Sequence, residues 1–392
     1  MNVDVFYDKK GLTEMIDAQY YLNICVDAQE HYERYKKEAE DSVVRTEFVT
    51  DKRYDLAPYW FERNTDCRGE ITEEDTGVYY GFDQENRLRV TYCDFLIDGV
   101  GYTSYHPDHI ITGLYVREKI DSIKIFYGKV GKPEHSVEYD VMPGLDLEST
   151  KDRYTIEEYI YEEERLIEIR NPKYVGKDHY QHIANTYLKY DESGELYQIY
   201  NGMNQMLYNN MNESQALTLR TALITEAVTE SINLLKESAQ KFSHDRLCYF
   251  GLYLSNDEFS GGSDPEYYSG LEQRRAKLLE DKKCEYTLWN DTQMQPSWFT
   301  GIENKGLLEK LRTLYVYWNL KGGGLYCEKE RQDFWQEIAY SFNEQDLTGQ
   351  VPVTDDFFVF VHWEGIELYN GELQRAIPEA KLSILQAKGL LP

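Results

Sequence analysis

Hydrophobic positions follow three different patterns along the chain, and each pattern predicts a different kind of structure. Over residues 12–40, apolar side chains recur at spacings of three and four, as on one face of a helix. From about residue 46 to 205, apolar and polar positions alternate, which is typical of half-buried strands. Beyond residue 212 helical spacing returns, interrupted by a few apolar strands. The sequence therefore predicts an α+β fold.

The middle segment predicts an antiparallel meander built from hairpins. Its clearest alternating runs are residues 87–92, 122–127 and 165–169. An aromatic–acid pair precedes a polar turn and a returning strand at three places, namely Phe82-Asp83, Tyr161-Glu162 and Tyr190-Asp191. Turn-forming dipeptides that contain Gly or Pro separate the runs. We expect this β-rich domain to cover residues 46–210, with the helical segment 1–45 packed on its sheet.

A second α+β domain is expected over residues 211–392. Asn212 and Gln215 have the spacing of a capping box, which predicts a long helix to about Phe242. The later elements expected are a strand over 247–254, a helix beginning at Pro265, a helix ending at Gly322-Gly323-Gly324, a hairpin over 356–369 that turns at Glu364-Gly365, and a last helix from Pro378.

Charge is the largest compositional signal. The chain has 42 Lys and Arg against 70 Asp and Glu, a net charge of −28. Residues 1–210 carry 24 bases and 42 acids, a net −18, and residues 211–392 carry 18 and 28, a net −10. Because phosphate backbones and anionic lipid surfaces require clustered Lys and Arg, we expect neither nucleic acid nor membrane as a partner. A basic protein partner is favoured, and solubility alone remains the alternative reason for the acidity.

Cysteine usage and the first residues indicate the compartment. Six Cys lie far apart and form no CxxC pair, which argues against a zinc ribbon or a redox motif. The start at Met1 lacks a charged segment followed by an apolar run, and no stretch reaches transmembrane length. We therefore predict a cytoplasmic protein with reduced thiols and no cofactor.

No catalytic residues are predicted, because no nucleophile or phosphate-binding motif is present. His106 and His109, with Asp108 between them, are the best metal candidates. On a strand, residues three apart point to opposite faces, so this pair chelates only from a turn. A zinc site also needs three or four ligands, and the prediction is therefore that no metal is bound.

Partner binding is instead assigned to tryptophans and carboxylates of the last domain. Trp289, Asp291 and Trp298 lie in a polar stretch, and Trp is enriched at binding hot spots. Asp355 and Asp356 precede an apolar strand and add negative charge. The alternatives are that the tryptophans pack over the core, and that the two carboxylates form a polar loop or, if buried, serve acid–base chemistry.

Residues 212–392 resemble a family of bacterial domains of unknown function found among immunity proteins of polymorphic toxin systems. The resemblance is carried by the long opening helix, the strand from Leu247, the Trp289-Asn290-Asp291 segment, and the late strand followed by the helix at Pro378. It implies a non-enzymatic immunity-type protein that neutralises a basic toxin domain by occlusion. Two alternatives stay open: a hydrolase whose carboxylate or metal centre forms no motif, and a structural scaffold module.

Overall fold

The computed structural model describes most of the chain. The described residues are 18–93, 99–141, 154–171, 185–254, 265–281, 300–322, 328–347, 349–362 and 372–391. The chain divides into two compact units, Met1–Leu207 and Tyr208–Pro392, and each is described by itself. The first unit has a large antiparallel sheet after two helices, and the second combines helices with a small mixed sheet, so the fold is α+β, as predicted.

Within the described residues, the first unit combines short helices with a 13-stranded sheet. The helices are α1 (Ala18–Glu30), α2 (Tyr32–Ser42) and α3 (Trp60–Arg63). The strands are β1 (Arg45–Val49), β2 (Ile71–Thr72), β3 (Val78–Phe82), β4 (Leu88–Cys93), β5 (Gly99–Tyr105), β6 (His109–Val116), β7 (Lys119–Lys129), β8 (Lys132–Asp140), β9 (Tyr154–Glu162), β10 (Arg165–Arg170), β11 (Thr186–Tyr190), β12 (Leu196–Asn201) and β13 (Met206–Asn209). From β3 to β13, each strand lies beside the next one in the chain, which confirms the predicted meander. At the other end, β1 lies between β2 and β3.

Several hairpins share one loop structure. At Asp83, Asp191 and Asn201, a side-chain oxygen accepts hydrogen bonds from the backbone N–H groups two and four residues later. The residue three positions on has a positive φ in each loop: 59° at Asn86, 89° at Gly194 and 59° at Asn204. Asx side chains favour such turns because they replace a backbone acceptor. The sequence repeat at Asp83 and Asp191 therefore marks real hairpins, and β9–β10 closes with a tighter turn at Glu163.

The two faces of the large sheet are covered by different segments. Successive residues of a strand point to opposite faces. Ile111 packs in the cluster beneath α1 and α2, whereas its neighbour Ile110 packs with Ala57 and Trp60 on the second face. The sequence predicted one helix over residues 12–40. The described part contains two helices that meet at His31, whose ring Nδ1 lies 3.1 Å from the carbonyl oxygen of Asp27.

The connection between β1 and β2 crosses the second face of the sheet. It contains α3, and the Thr65 hydroxyl that follows α3 donates to the carbonyl of Leu207 on β13 at 2.7 Å. The Tyr190 hydroxyl of β11 lies 3.4 Å from that of Tyr59. This early segment therefore contacts strands that come more than a hundred residues later.

The second unit surrounds a four-stranded sheet. Its helices are α4 (Glu213–Lys241), α5 (Glu272–Glu280), α6 (Lys305–Leu320), α7 (Glu328–Asn343), α8 (Glu372–Arg375) and α9 (Glu379–Ala387). Its strands are β14 (Leu247–Tyr253), β15 (Glu266–Leu271), β16 (Thr300–Gly301) and β17 (Val353–His362), in the order β16-β15-β14-β17 with β14 and β17 parallel. The predicted capping box is confirmed: Asn212 Oδ1 accepts the Gln215 N–H at 3.0 Å, and Gln215 Oε1 accepts the Asn212 N–H at 2.9 Å.

Both faces of this small sheet are buried. Phe250 and Tyr267 pack against the cluster that contains α4, α6 and α7, and Tyr249 and Tyr268 pack on the face that contains α9. Glycines make room for the tyrosine rings across the β14–β15 pair. A Cβ atom on Gly251 would lie 2.3 Å from the ring of Tyr268, so no larger residue fits there without displacing the ring.

One predicted helix of this unit is wrong. The residues after Pro265 form β15 rather than a helix. Tyr267 and Tyr268 are completely buried on opposite faces of the sheet, and this burial together with pairing to β14 outweighs the helix-starting preference of Pro. The strand at 247–254 and the helix after Pro378 are confirmed as β14 and α9. The turn predicted at Glu364-Gly365 lies outside the described residues.

Candidate functional site

A groove of about 450 Å³ lies beside α2 on the first face of the large sheet. Its lining residues are Tyr32, Lys36, Glu40, Tyr79, Tyr92, Val100, Tyr102, Arg117 and Glu118. We call it the tyrosine groove. It combines four tyrosines with two cationic and two anionic side chains, and this composition makes it the candidate functional site.

Helix α2 forms the wall of the groove, and β3 to β5 form its floor. Tyr32, Lys36 and Glu40 are four residues apart, so they share one face of the helix. On the floor, Tyr79 pairs with Tyr92, and Tyr92 pairs with Val100, in the registers of β3–β4 and β4–β5. Residues directly opposite each other on neighbouring strands lie on the same face of a sheet. Strand register therefore assembles the floor.

The tyrosine rings are packed but not sealed from solvent. Tyr79 and Tyr92 stack with their ring centroids 5.1 Å apart and an interplanar angle of 15°. Tyr32 lies 6.0 Å from Tyr102, which is buried, whereas the other three tyrosines keep part of their surface exposed. Tyrosine offers an apolar face to a ligand while its hydroxyl remains available for hydrogen bonds. The floor therefore presents a stacked aromatic pair to solvent.

Glu40 is the carboxylate nearest to these rings. The Tyr102 hydroxyl donates to Glu40 Oε1 at 3.4 Å. Burial, followed by the effects of Tyr32 and Glu40, raises the pKa of Tyr102 above its ordinary value, so the hydroxyl keeps its proton and remains a donor. Burial and then the negative charge of Glu40 also raise the pKa of Tyr79. Aromatic rings beside a carboxylate form an environment that favours a cation.

The tip of the β6–β7 hairpin forms one end of the groove in a strained conformation. Arg117 and Glu118 both have positive φ, 52° and 63°, as a two-residue turn of type I′ requires. Asn and Gly normally occupy such a turn because other side chains are disfavoured there. Gln29 holds this one in place: its Nε2 donates to the Glu118 carbonyl at 3.2 Å, and its Oε1 accepts the Ile120 N–H at 2.8 Å. Strain retained in this way is typical of functional sites.

The four charged side chains of the groove form no ion pair with any other described residue. Lys36 Nζ lies 5.8 Å from the ring centroid of Tyr32, and the Glu40 carboxylate accepts the Tyr102 hydroxyl. Elsewhere on the first unit, acids and bases commonly pair, as Lys37 does with Asp41 at 2.6 Å. The groove therefore holds charges that remain available to a ligand.

The partner-binding residues predicted from the sequence lie in the second unit. Trp289, Asp291 and Trp298 are outside the described residues. The two predicted carboxylates differ in exposure. The Asp355 side chain is 76% exposed and pairs with Lys388 at 2.7 Å. The Asp356 side chain is 1% exposed, so Asp355 is the carboxylate of the pair that a partner can reach.

Asp356 lies within a buried set of donors. Arg275 Nη2 donates to both of its oxygens at 2.8 and 2.9 Å, Lys388 Nζ lies 3.1 Å away, and the Thr354 hydroxyl also donates. Burial alone would raise the pKa of Asp356, but the Arg275 and Thr354 hydrogen bonds outweigh it and hold the pKa below its ordinary value. Asp356 therefore joins β17 to α5 and α9.

The two histidines that were considered as metal candidates stack on each other. The rings of His106 and His109 lie 4.4 Å apart at 12°, and the stack continues through Tyr127 to His135. His109 Nδ1 lies 2.8 Å from Asp108 Oδ1. Among the described residues, no group of three or more His, Cys, Asp and Glu side chains has a geometry suited to a metal ion. We call this row of rings the histidine stack.

Buried carboxylates bear on the hydrolase alternative. Glu157 accepts two hydrogen bonds from Arg63, at 2.6 and 3.0 Å. Burial would raise the pKa of Glu157, but Arg63 and then Lys124 and Tyr159 hold it below its ordinary value. A general acid needs a raised pKa at neutral pH, and neither Glu157 nor Asp356 has one.

The tyrosine groove was missed at the sequence level. Charged residues such as Lys36 and Glu40 usually face solvent, so their residue types alone do not mark a site. The spacing of Tyr32, Lys36 and Glu40 was a usable signal. Residues four apart share one helix face, so an aromatic residue and two charged residues at this spacing form one continuous surface. The register that brings Tyr79 and Tyr92 under this stripe has no local signal.

Two further findings complete the description. Among the described residues, no helix has the length and apolar character needed to cross a bilayer. Comparisons of the chain with protein-family models, with curated proteins and with solved structures found no match.

Proposed function

We propose that this chain is a non-enzymatic binding protein whose tyrosine groove holds a basic segment of a protein partner. The observation that carries the proposal is the carboxylate of Glu40, which forms no ion pair with the residues that the structure describes, close to Tyr79 and its stacked neighbour Tyr92. A Lys or Arg side chain placed over these rings gains a cation–π contact and a counter-ion together. The part-exposed rings supply apolar contact area at little cost in conformational entropy.

The charge of the whole unit supports the same class of partner. Residues 1–207 carry 24 bases and 42 acids, a net charge of −18. A field of this sign attracts a basic protein and raises its association rate at low ionic strength. The rate of binding should therefore fall as salt is added, because the Debye length shortens to about 8 Å at 0.15 M.

The biological class follows from the resemblance of residues 212–392. On that basis we propose an immunity-type protein of the bacterial cytoplasm whose partner is a basic toxin domain that it neutralises by occlusion. The second unit contributes a net charge of −10 and the exposed carboxylate of Asp355.

The product of the adjacent gene is the first partner to test. The two proteins are purified separately, and their association is measured by titration calorimetry at two salt concentrations. We expect Glu40→Gln to weaken binding about tenfold, because a charge-assisted contact is lost. Asp41→Asn is the matched control, since it makes the same change of charge on the same helix at a carboxylate that pairs with Lys37 outside the groove.

Equal affinity of wild type and Glu40→Gln for a partner that does bind would refute the assignment to the groove. A neighbouring product that neither binds nor resembles a toxin would refute the immunity class.

A further inference from the structure

Lys381, in the second unit, forms no ion pair with any residue that the structure describes. It is a half-buried residue of α9, and its Nζ donates to Asn343 Oδ1 at 3.3 Å. The ring centroid of Phe357 lies 5.8 Å from the same nitrogen. Glu379 comes two residues earlier on α9, and residues two apart do not face each other on a helix. The amine is therefore held by one neutral acceptor beside an apolar ring.

The hydrogen bonds of Asn343 determine which of its atoms faces the amine. Its Oδ1 accepts the Val359 N–H at 2.8 Å, and its Nδ2 donates to the carbonyls of Val359 and Ala376, each at 2.7 Å. Both amide hydrogens are used in this way, so Oδ1 is the atom that meets Lys381. Because this acceptor is neutral, it orients the amine without the negative charge that would retain its extra proton.

Burial of the amine favours its neutral form. It lowers the pKa of Lys381 to about 8, since a desolvated ammonium without a counter-ion is costly. With that pKa, roughly a quarter of the molecules carry a neutral amine at pH 7.5, against about one in a thousand for an ordinary lysine. The lone pair of a neutral amine is a nucleophile, and desolvation is one way in which proteins activate lysine.

We propose that Lys381 is a modification site that takes an acyl group from small activated donors, namely acyl phosphates and acyl thioesters. The Nζ lone pair attacks the carbonyl carbon, and an N–C bond forms. The bond from that carbon to the phosphate oxygen or the thiolate sulfur breaks, the leaving group departs with the electron pair, and Nζ gives one proton to solvent. This proposal concerns the second unit and does not depend on the proposed function.

The product of this reaction fits the site of Lys381. It is a neutral amide, which removes the half-buried charge and keeps one N–H for Asn343 Oδ1. A carbamate formed with CO₂ would instead place a negative charge beside the same oxygen. An imine formed with an aldehyde would lose the N–H donor. The neighbours of the amine therefore favour acylation over both of these reactions.

The rates of acetylation at two lysines test the proposal. Lys388 is the matched control, because it follows α9 directly and its hydrogen bonds to Asp355 and Asp356 raise its pKa. The whole protein is incubated with acetyl phosphate or with acetyl coenzyme A between pH 7.0 and 9.5, and peptide mass spectrometry gives the initial rate at each lysine. We expect Lys381 to react about tenfold faster than Lys388 at pH 7.5, and its rate to level off above about pH 8.5.

Two substitutions test whether the site accepts a neutral side chain. Lys381→Gln removes the charge and keeps an N–H donor, as acetylation does, so its urea midpoint at pH 7 should equal or exceed that of the wild type. Lys381→Arg keeps a permanent charge in the same place and should lower the midpoint. The reverse order of the two variants would overturn the fit of a neutral product.

The labelling experiment uses the wild-type chain, so its result does not depend on a variant that folds. Faster reaction of Lys381 with either donor supports the proposal, because both deliver the same acyl carbon. Acetylation of Lys381 no faster than that of Lys388 would overturn it. A rate at Lys381 that rises as steeply as that of Lys388 up to pH 9.5 would overturn it as well.

Discussion

Arg63 and Glu157 form an ion pair with two hydrogen bonds, at 2.6 and 3.0 Å, across 94 residues of sequence. Their side chains are only 8% and 13% exposed. Arg63 ends α3, and Glu157 lies in β9, so the pair attaches the β1–β2 connection to the middle of the meander. A buried ion pair stabilises little by itself, but removal of one partner leaves a desolvated charge.

Arg63→Met should therefore lower the free energy of unfolding by about 3–5 kcal/mol, because Glu157 keeps its charge without its main counter-ion. Arg68→Met is the control. Arg68 pairs with Glu62 at the surface, and its loss should cost less than about 1 kcal/mol. Urea denaturation measures both losses of stability. Similar losses would show that burial of the Arg63 pair does not increase its contribution to stability.

The adjacent carboxylates of β17 should respond differently to the same change. Asp356→Asn removes the charge that balances Arg275, which is 8% exposed, and should cost about 3 kcal/mol or more. Asp355→Asn alters an exposed, solvent-screened pair and should leave the stability close to that of the wild type. Thermal or chemical unfolding of the two variants gives the comparison, and a stable Asp356→Asn protein would contradict it.

The histidine stack should make the first unit less stable in mild acid. Burial, and for His106 also the neighbouring His109, lowers the pKa of His106 and His135 in the folded state. The unfolded chain, with a pKa near 6.5, therefore takes up protons first, and stability falls as the pH drops below about 6.5.

Chemical denaturation at pH 8.0, 7.0, 6.0 and 5.5 measures this slope. Asp108 and Glu134 lie near the stack and partly offset the lowering of the histidine pKa values. The dependence of stability on pH is therefore the sum of these opposing effects. His135→Gln should flatten it, and any difference at pH 8 is independent of protonation. A variant with the slope of the wild type would exclude His135 as a contributor.

Relief of the strain in the β6–β7 turn should stabilise the protein and weaken partner binding. Replacing Arg117 with Asn and Glu118 with Gly places favourable residues at φ values of 52° and 63°, and should raise the free energy of unfolding by about 1–2 kcal/mol. The same double variant removes two groove charges and should weaken partner binding.

Glu163→Gly is the matched control for this exchange. Its φ of 56° lies in the β9–β10 turn, which does not line the groove. It should stabilise the protein and leave binding unchanged. If the turn variant gained stability without losing affinity, the hairpin tip would have no part in recognition.

Local patterns predicted the elements that local interactions decide. Alternation over β4, β7 and β10 located the meander, and the capping box located the start of α4. The helix predicted after Pro265 was wrong because Tyr267 and Tyr268 are buried on opposite faces by partners distant in sequence. Long-range burial on both faces has no signature within six residues.

The candidate site depended even more on distant contacts. Tyr79 and Tyr92 form its floor only through the β3–β4 register, and a shift of β4 by one residue would move Tyr92 to the other face, away from Tyr79. The strain at Arg117 is equally invisible, because nothing in a Val-Arg-Glu-Lys stretch marks a type I′ turn. Residues such as Trp289 were selected only because of their amino-acid type, without information about which other residues they contact.

The hydrogen bond from Thr65 to Leu207 can form only late in the synthesis of the first unit. The two residues are 142 positions apart. At roughly 5–20 residues per second, a ribosome needs about 7–28 s to proceed from one to the other. During that interval the nascent β1–β2 connection can pack on β6 and pair with β9 once these strands are made, whereas its contact with β13 forms only after the last strand of the meander has been synthesised.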